Sequence, residues 1–325
     1  MRLLMTLVSR RTCFIPLAVA ASMLAASCNQ KKTGNAVGFV QEGDENAWRT
    51  AETQSMKSEA DKRGVNYSLA NAQGDKEKQI NDVRSFVVQR VSAIILAPKD
   101  ESGWEPVLKE ARDAKIPVIL VDRGVSADPS LYTTLIASDF VQEGQRVAQW
   151  LANDTKDQSE VNIVELEGTA GAAPAIDRKK GFDEEIAKHS NMHILASQDG
   201  NFTREQGKKV MTNFLLTIGK DKINAVYAHN DDMALGAIQA IEAAGKKPGT
   251  DIKVVSIDGI HDGLQAILDG KINCIVECNP MLGQDAFDAV AAAQKGDTLP
   301  KHKTEADALF DQKSMTKEIL AERKY

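Results

Sequence analysis

Polar and charged side chains follow many of the apolar runs in this sequence, at the point where each run ends. They lie at residues 41–49, at Asp122 and Arg123, at Asp139, at Asn230 and Asp231, at Asp258 and at residues 277–279. Any single Asp or Asn in such a place could simply cap the helix that follows. Ligands of open α/β sheets bind at the carboxyl ends of the strands, so the accumulation of these groups predicts a polar ligand site.

The residue types at these positions suit a sugar better than a catalytic reaction. Carboxylates accept hydrogen bonds from neighbouring hydroxyls, guanidinium groups donate through a planar fork, and amides do both. Trp48 and Phe202 offer flat apolar faces for the C–H side of a sugar ring. The sequence has no G-x-S-x-G elbow, no G-x-x-x-x-G-K-[ST] phosphate loop and no G-x-G-x-x-G after its first apolar run. We therefore predict a binding protein that is not an enzyme and uses no cofactor.

Two sets of residues that contain histidine could suggest a metal site. His189 and His193 are four residues apart, but the Ser, Asn and Met between them indicate a surface turn. His229 stands beside Asn230, Asp231 and Asp232, yet consecutive side chains at a strand end point in different directions. Capping plus one ligand contact is the preferred interpretation there, and we predict no metal site.

Short apolar runs alternate with amphipathic stretches from residue 36 onward, which is typical of βαβ units and a parallel sheet. Helices are predicted over 47–63, ended by Gly64, and over 77–89, where Ile80, Val83 and Val87 recur at helical spacing. A strand followed by a helix opens the chain at 36 and again at 161, which favours two domains that meet near 138–141. Ten strands are predicted, at 36–41, 65–70, 93–97, 118–121, 133–137, 161–166, 193–196, 225–228, 253–257 and 272–277.

The first 27 residues have the composition of an export signal. Arg2, Arg10 and Arg11 form a basic region, and an apolar run of 14 residues, too short to span a bilayer as a stable helix, ends in small residues. Cys28 follows the sequence LAAS, which resembles the cleavage box of bacterial lipoproteins. Two outcomes stay open: lipidation of Cys28, or ordinary cleavage nearby that leaves it a bystander.

The charge balance argues against a nucleic-acid partner. The 325 residues carry 40 Lys and Arg against 46 Asp and Glu. With the three arginines of the signal removed, 37 basic residues remain against 46 acidic ones, a formal charge of −9. Nucleic-acid-binding proteins need the opposite sign. Cys274 and Cys278 are too far apart on one strand to bridge, so both are predicted to be small core residues.

Several segments together resemble the type I periplasmic sugar-binding proteins of ABC importers, the group that binds ribose, galactose and galactofuranose. The resemblance covers nearly all of the chain beyond the signal. Within the group it is closest to galactofuranose-binding proteins, through WEPVLKEA at 104–111, AIDRKKGF at 175–182 and YAHNDDM at 227–233. The other segments are VGFVQEGDENAWR at 37–49, AIILAPKD at 93–100, IPVILVDR at 116–123, NFTR at 201–204, the rest of VYAHNDDMALGAIQAI at 226–241, and SIDGIHD at 256–262.

The resemblance implies an α/β fold of two Rossmann-like, doubly wound parallel-sheet domains joined by a three-crossover hinge, with the sugar in the cleft. It divides the chain into a first lobe of 36–138 plus 259–280 and a second lobe of 139–258 plus 281–325. One position departs from the family pattern, because Cys278 stands where relatives have an amide before a proline. Glu277 or Asn279 is a possible substitute for that contact. The family's ligand positions fall on Gln41, Glu45, Trp48, Arg49, Asp122, Arg123, Arg178, Phe202, Asn230 and Asp258.

The function implied is capture of a monosaccharide in the periplasm, by a monomer, for an ABC permease of the inner membrane. The ligand expected is one aldohexose, in furanose form if the galactofuranose resemblance holds, bound more tightly than ribose. An alternative is a sensor partner that hands the sugar to a membrane receptor, which sequence cannot separate from transport. A sugar-responsive repressor with the same fold would carry a helix-turn-helix where this chain has an export signal.

Overall fold

The computed structural model describes residues 36–43 and 46–325, so Cys28 and Glu45 lie outside the described residues. Strands of three to eight residues, most of them apolar, alternate with amphipathic helices. No helix of the described residues is long and apolar enough to cross a membrane. The strands are β1 Ala36–Gln41, β2 Asn66–Asn71, β3 Ala93–Leu96, β4 Val118–Val121, β5 Thr134–Ala137, β6 Val161–Glu167, β7 Met192–Asp199, β8 Ala225–Ala228, β9 Lys253–Asp258, β10 Cys274–Glu277, β11 His302–Thr304 and β12 Leu309–Asp311.

Helices cover both faces of each sheet. They are α1 Ala47–Arg63, α2 Lys76–Gln89, α3 Glu105–Asp113, α4 Phe140–Asp154, α5 Ala173–Ile186, α6 Arg204–Phe214, α7 Asp231–Ala243, α8 His261–Leu268, α9 Gly283–Lys295 and α10 Lys317–Glu322. In the first lobe α2 and α3 bury one face of the sheet while α1 and α9 bury the other. In the second lobe α4 and α5 cover one face, and α6, α7 and α8 the other.

Two six-stranded sheets confirm the predicted fold class. The first has the order β11-β5-β4-β3-β1-β2 and is parallel throughout. The second has the order β12-β10-β9-β8-β6-β7, with only the edge strand β12 antiparallel. Both orders are doubly wound, and each reverses direction beside its first strand, β1 or β6. Such a reversal is where open α/β sheets leave a crevice for ligands.

Sheet membership corrects the predicted lobes after residue 258. Strand β10 pairs with β9 in the second sheet, so residues 259–278 belong to the second lobe and not the first. Helix α9 packs on α1, and β11 pairs with β5, so residues 283–304 belong to the first lobe. Strand β12 then returns to the second sheet. The chain therefore crosses between lobes near 138, near 280 and near 306. Because β10 is apolar on both faces, its sequence fits either sheet, and only the pairing decides.

Candidate functional site

Several of the polar residues predicted at the strand ends line one cavity between the two lobes, whereas Asp139 and Asp231 do not. The cavity holds about 280 Å³ of empty space, open solvent at its mouth included. Its lining residues are Asn46, Trp48, Arg49, Asp122, Arg123, Pro174, Arg178, Phe202, Asn230, Asp258 and Cys278.

The start of α1 places the first group of side chains. Asn46 caps the helix by accepting from the backbone N–H of Arg49 at 2.8 Å, which turns Trp48 and Arg49 toward the cavity. Arg49 is fully buried and held on two sides, by Glu52 at 2.6 Å and by Asp122 at 2.6 Å. These carboxylates fix the direction of its remaining donors.

Gln41 does not line the cavity, although the resemblance gave it a ligand contact. Its amide donates to Glu52 at 2.9 Å and to Thr53 at 3.0 Å, and its side-chain oxygen accepts from the backbone of Glu42 at 2.9 Å. Every polar atom of this amide therefore has a partner within its own lobe. Gln41 supports Glu52, which in turn holds Arg49.

Asp122 and Arg123 lie at the end of β4 in a strained backbone. Asp122 has φ +59°, a left-handed conformation that costs a non-glycine residue free energy and often marks a functional position. Arg123 donates to the carbonyl of Lys99 at 3.0 Å and lies 3.5 Å from the Glu42 carboxylate. Its guanidinium also stacks on the ring of Phe202, from the other lobe, at 5.5 Å.

Close contact between α4 and α5 positions Arg178. A Cβ on Gly144 would come within 2.2 Å of the Arg178 carbonyl oxygen, so only glycine permits this approach. Arg178 pairs with Glu143 at 2.7 Å, donates to the His229 carbonyl at 2.6 Å and lies 3.7 Å from Asp258. Burial lowers the pKa of Arg178, but the negative groups around it, with Glu143 the largest of them, together outweigh burial and raise that pKa. Arg178 is thus a fixed cation in the cavity wall.

Asp258 ends β9 with φ +129°, far outside the usual regions for a residue with a side chain. Burial raises the pKa of Asp258 well above its ordinary value, against the opposing charge of Arg178. A carboxyl in this environment can donate as well as accept a hydrogen bond. Asn230 caps α7 through the backbone N–H of Met233 at 3.0 Å, so capping and cavity lining coincide in one residue.

Phe202 supplies an apolar wall from the second lobe. Its φ is +58°, and its ring occupies the space that a Cβ on Gly168 would need, 1.9 Å away. Its carbonyl accepts from Asn230 at 3.1 Å and from Asn46 of the first lobe at 3.3 Å. A second lobe-to-lobe bond runs from the Glu101 N–H to the Gly171 carbonyl at 3.0 Å. These bonds join the two lobes around the cavity.

The cavity also includes Asn46, Pro174 and Cys278, to which the resemblance assigned no ligand contact, although Asn46 and Cys278 lie within the predicted polar stretches 41–49 and 277–279. Asn46 could be recognised in the sequence as the cap that precedes α1, and Pro174 as a proline in the first turn of α5. Neither Glu277 nor Asn279 lines the cavity. Cys278 itself does, and its carbonyl accepts from the indole N–H of Trp48 at 2.6 Å. Among residues 36–43 and 46–325, no cluster of side chains could hold a metal ion.

The sequence over residues 37–298 matches the family described as periplasmic binding protein domain. The chain belongs to this family. Galactofuranose-binding protein YtfQ of Escherichia coli K12 is 47% identical over 309 residues, which cover 94% of this chain and 96% of that protein. Membership places the chain among exported, periplasmic proteins, and its relatives bind solutes for transport, which confirms the prediction of a binding protein.

Solved structures with bound furanoses share the fold. The binding component of the arabinose ABC transporter of Shewanella sp. ANA-3, bound to α- and β-L-arabinofuranose, is 47% identical with a TM-score of 0.85. That match covers 89% of this chain and 95% of the other. A Mycobacterium smegmatis protein in complex with β-D-fucofuranose is 50% identical with a TM-score of 0.86, over 89% of this chain and 95% of the other.

Proposed function

We propose that this protein captures one neutral monosaccharide in furanose form, galactofuranose or a related aldose, and delivers it to an ABC permease. The observation that carries the proposal is the cavity itself. Three guanidinium groups, two carboxyls and two amides face a space of about 280 Å³ that also has the aromatic walls Trp48 and Phe202. This set matches a small ring with hydroxyls on its edge and C–H groups on its face.

The ion pairs around the cavity favour a neutral ligand. Arg49 is balanced by Glu52 and Asp122, and Arg178 by Glu143. Arg123 lies near the Glu42 carboxylate. Each arginine is thus balanced by a carboxylate of the protein. The cavity wall therefore has no surplus of positive charge to offset a carboxylate or phosphate on the sugar. Sugar acids and sugar phosphates are expected to bind far more weakly than the parent aldose.

The furanose form and the transport role rest on the relatives. These relatives bind galactofuranose, arabinofuranose and fucofuranose, and one of them is a component of an ABC transporter. Transport is therefore favoured over the sensor alternative. Tethering to the membrane through a lipidated Cys28 is a further part of the proposal, and it rests on the LAAS sequence before that cysteine.

Calorimetric titration with ring-locked analogues tests the ligand class. 1,4-Anhydro-D-galactitol holds the furanose ring and 1,5-anhydro-D-galactitol the pyranose ring, and both lack the anomeric hydroxyl, so they are a matched pair. We expect the first to bind at least about tenfold more tightly, because hydroxyls displaced by the ring change leave buried donors unpaired. Galactose, fucose, arabinose and ribose complete the series, with galacturonate as the charged control. Equal binding of the two analogues would refute the furanose preference, and binding of none of the sugars would refute the ligand class.

A further inference from the structure

Residues 323–325 pack against the end of β10, and none of them lines the sugar cavity. Arg323 Nη1 donates to the Glu277 carboxylate at 2.5 Å, and the Tyr325 hydroxyl donates to the same oxygen at 3.0 Å. The Tyr325 carbonyl accepts from the His261 N–H at 2.6 Å. The Arg323 and Glu277 side chains are only 9% and 15% exposed, so the pair is largely shielded from water. We propose that residues 323–325 form a brace that positions the Cys278 carbonyl for Trp48 and thereby strengthens closure on the sugar.

Glu277 is the point where the brace meets the hinge. Its second carboxylate oxygen accepts from the Ala308 N–H at 3.1 Å, and its own N–H donates to the Ala308 carbonyl at 2.9 Å. It therefore joins two of the three crossings between the lobes, near 280 and near 306. A carboxylate held by a guanidinium, a phenol and a backbone N–H has little freedom to move. The peptide that follows it is held as well, because the Cys278 N–H donates to the Asp258 carbonyl at 3.0 Å.

That peptide belongs to Cys278, whose carbonyl receives the Trp48 indole N–H at 2.6 Å. Trp48 is on α1 of the first lobe, yet its ring packs in the core between α4, α5 and the second sheet. Any rotation of the lobes about the hinge must change this bond. Correct placement of the acceptor therefore favours the closed arrangement. Glu277, Arg323 and Tyr325 act as positioning residues through Cys278 and do not touch the ligand.

A double-mutant cycle between Arg323 and Trp48 tests whether residues 323–325 affect sugar affinity through the Cys278–Trp48 hydrogen bond. This part of the proposal rests on the proposed sugar binding. Arg323→Ala should weaken sugar binding by about tenfold, mainly through faster dissociation, because it removes a charged hydrogen bond. Trp48→Phe removes the indole donor. If the brace acts through Cys278 and Trp48, Arg323→Ala should change affinity by less than about twofold in the Trp48→Phe background. Lys324→Ala, at the exposed neighbour of Arg323, is the matched control and should leave affinity unchanged.

A loss of the same size in both backgrounds, or no loss in either, would overturn the proposal. A readout that needs no sugar separates this outcome from failure of the proposed function. The Trp48 indole proton is followed by NMR, assigned through Trp48→Phe, and its exchange with solvent is measured. Arg323→Ala should accelerate that exchange by about tenfold while Lys324→Ala should not, as expected for the loss of an ordered acceptor. Unchanged exchange in Arg323→Ala would refute the brace even if no sugar bound to the unmodified protein.

Discussion

Replacing Arg178 by glutamine is the most direct test of the cavity. Arg178 is 3% exposed and lines the cavity, and its guanidinium bonds to the Glu143 carboxylate and the His229 carbonyl. Glutamine keeps one amide donor but loses the charge and the fork. A hydrogen bond from a charged group contributes about 1.5–3 kcal/mol, so affinity for the sugar should fall about tenfold to a hundredfold.

The same substitution also leaves the buried Glu143 carboxylate without its ion-pair partner. Breaking a buried ion pair on one side costs about 3–5 kcal/mol of folding stability. Burial already raises the pKa of Glu143, so protonation of its carboxyl would relieve part of that cost. The double variant Arg178→Gln/Glu143→Gln leaves no charge stranded and should recover most of the lost melting temperature. It should not recover the lost affinity, because the ligand contact is still missing.

Isothermal titration gives the affinity, and thermal melting by circular dichroism shows whether each variant is folded. Lys180→Gln, at an exposed position of the same helix, is the matched control and should change neither quantity. A folded Arg178→Gln protein that binds the sugar within about threefold of the unmodified affinity would refute the assignment of Arg178 to the ligand site.

Three further outcomes are expected. Saturating sugar should lower the radius of gyration in X-ray scattering, since hinge closure around ligands is the motion of this family, and an unchanged radius would contradict the clamp. Asp307, which accepts from the Ser138 hydroxyl at 3.0 Å across two hinge crossings, has its pKa raised by burial to about 7. The folded protein thus holds this proton more tightly than the unfolded chain. The stability it adds is complete below about pH 4 and is lost as the pH rises to 7. Between pH 4 and pH 7 the unfolding free energy of Asp307→Asn should fall by roughly 1–2 kcal/mol less than that of the unmodified protein, a value reduced for partial exposure. Urea melts at several pH values measure this, and the same dependence on pH in both proteins would show that Asp307 titrates normally. Finally, a mature protein lipidated at Cys28 should have an intact mass above that of the bare polypeptide, and a mass equal to the polypeptide would exclude the anchor.

The sequence determined the elements and the edge of the sheets on which the ligand groups meet. The predicted strand ends lie within three residues of the observed ends for all ten predicted strands. The pattern is clearest in the central strands, which are buried on both faces. The two strands it missed, β11 and β12, are three residues long, and β11 is exposed throughout. Trp48, Arg49, Asp122 and Asp258 line the cavity because carboxyl ends of parallel strands face one side.

Tertiary structure alone decided the partners of those groups and the path of the chain between lobes. Glu143 is a helix residue with no distinctive local pattern, yet it holds Arg178 across the contact between α4 and α5 that Gly144 permits. Asp122 likewise holds Arg49 from the end of a distant strand. Gln41 is of a residue type that could contact a ligand, but its amide N–H groups donate to Glu52 and Thr53 instead. The lobe of β10 follows from its pairing with β9, a contact between segments that its own sequence does not encode. Local pattern sets which residues are buried or capped, whereas the partner of a buried charge depends on which distant element packs against it.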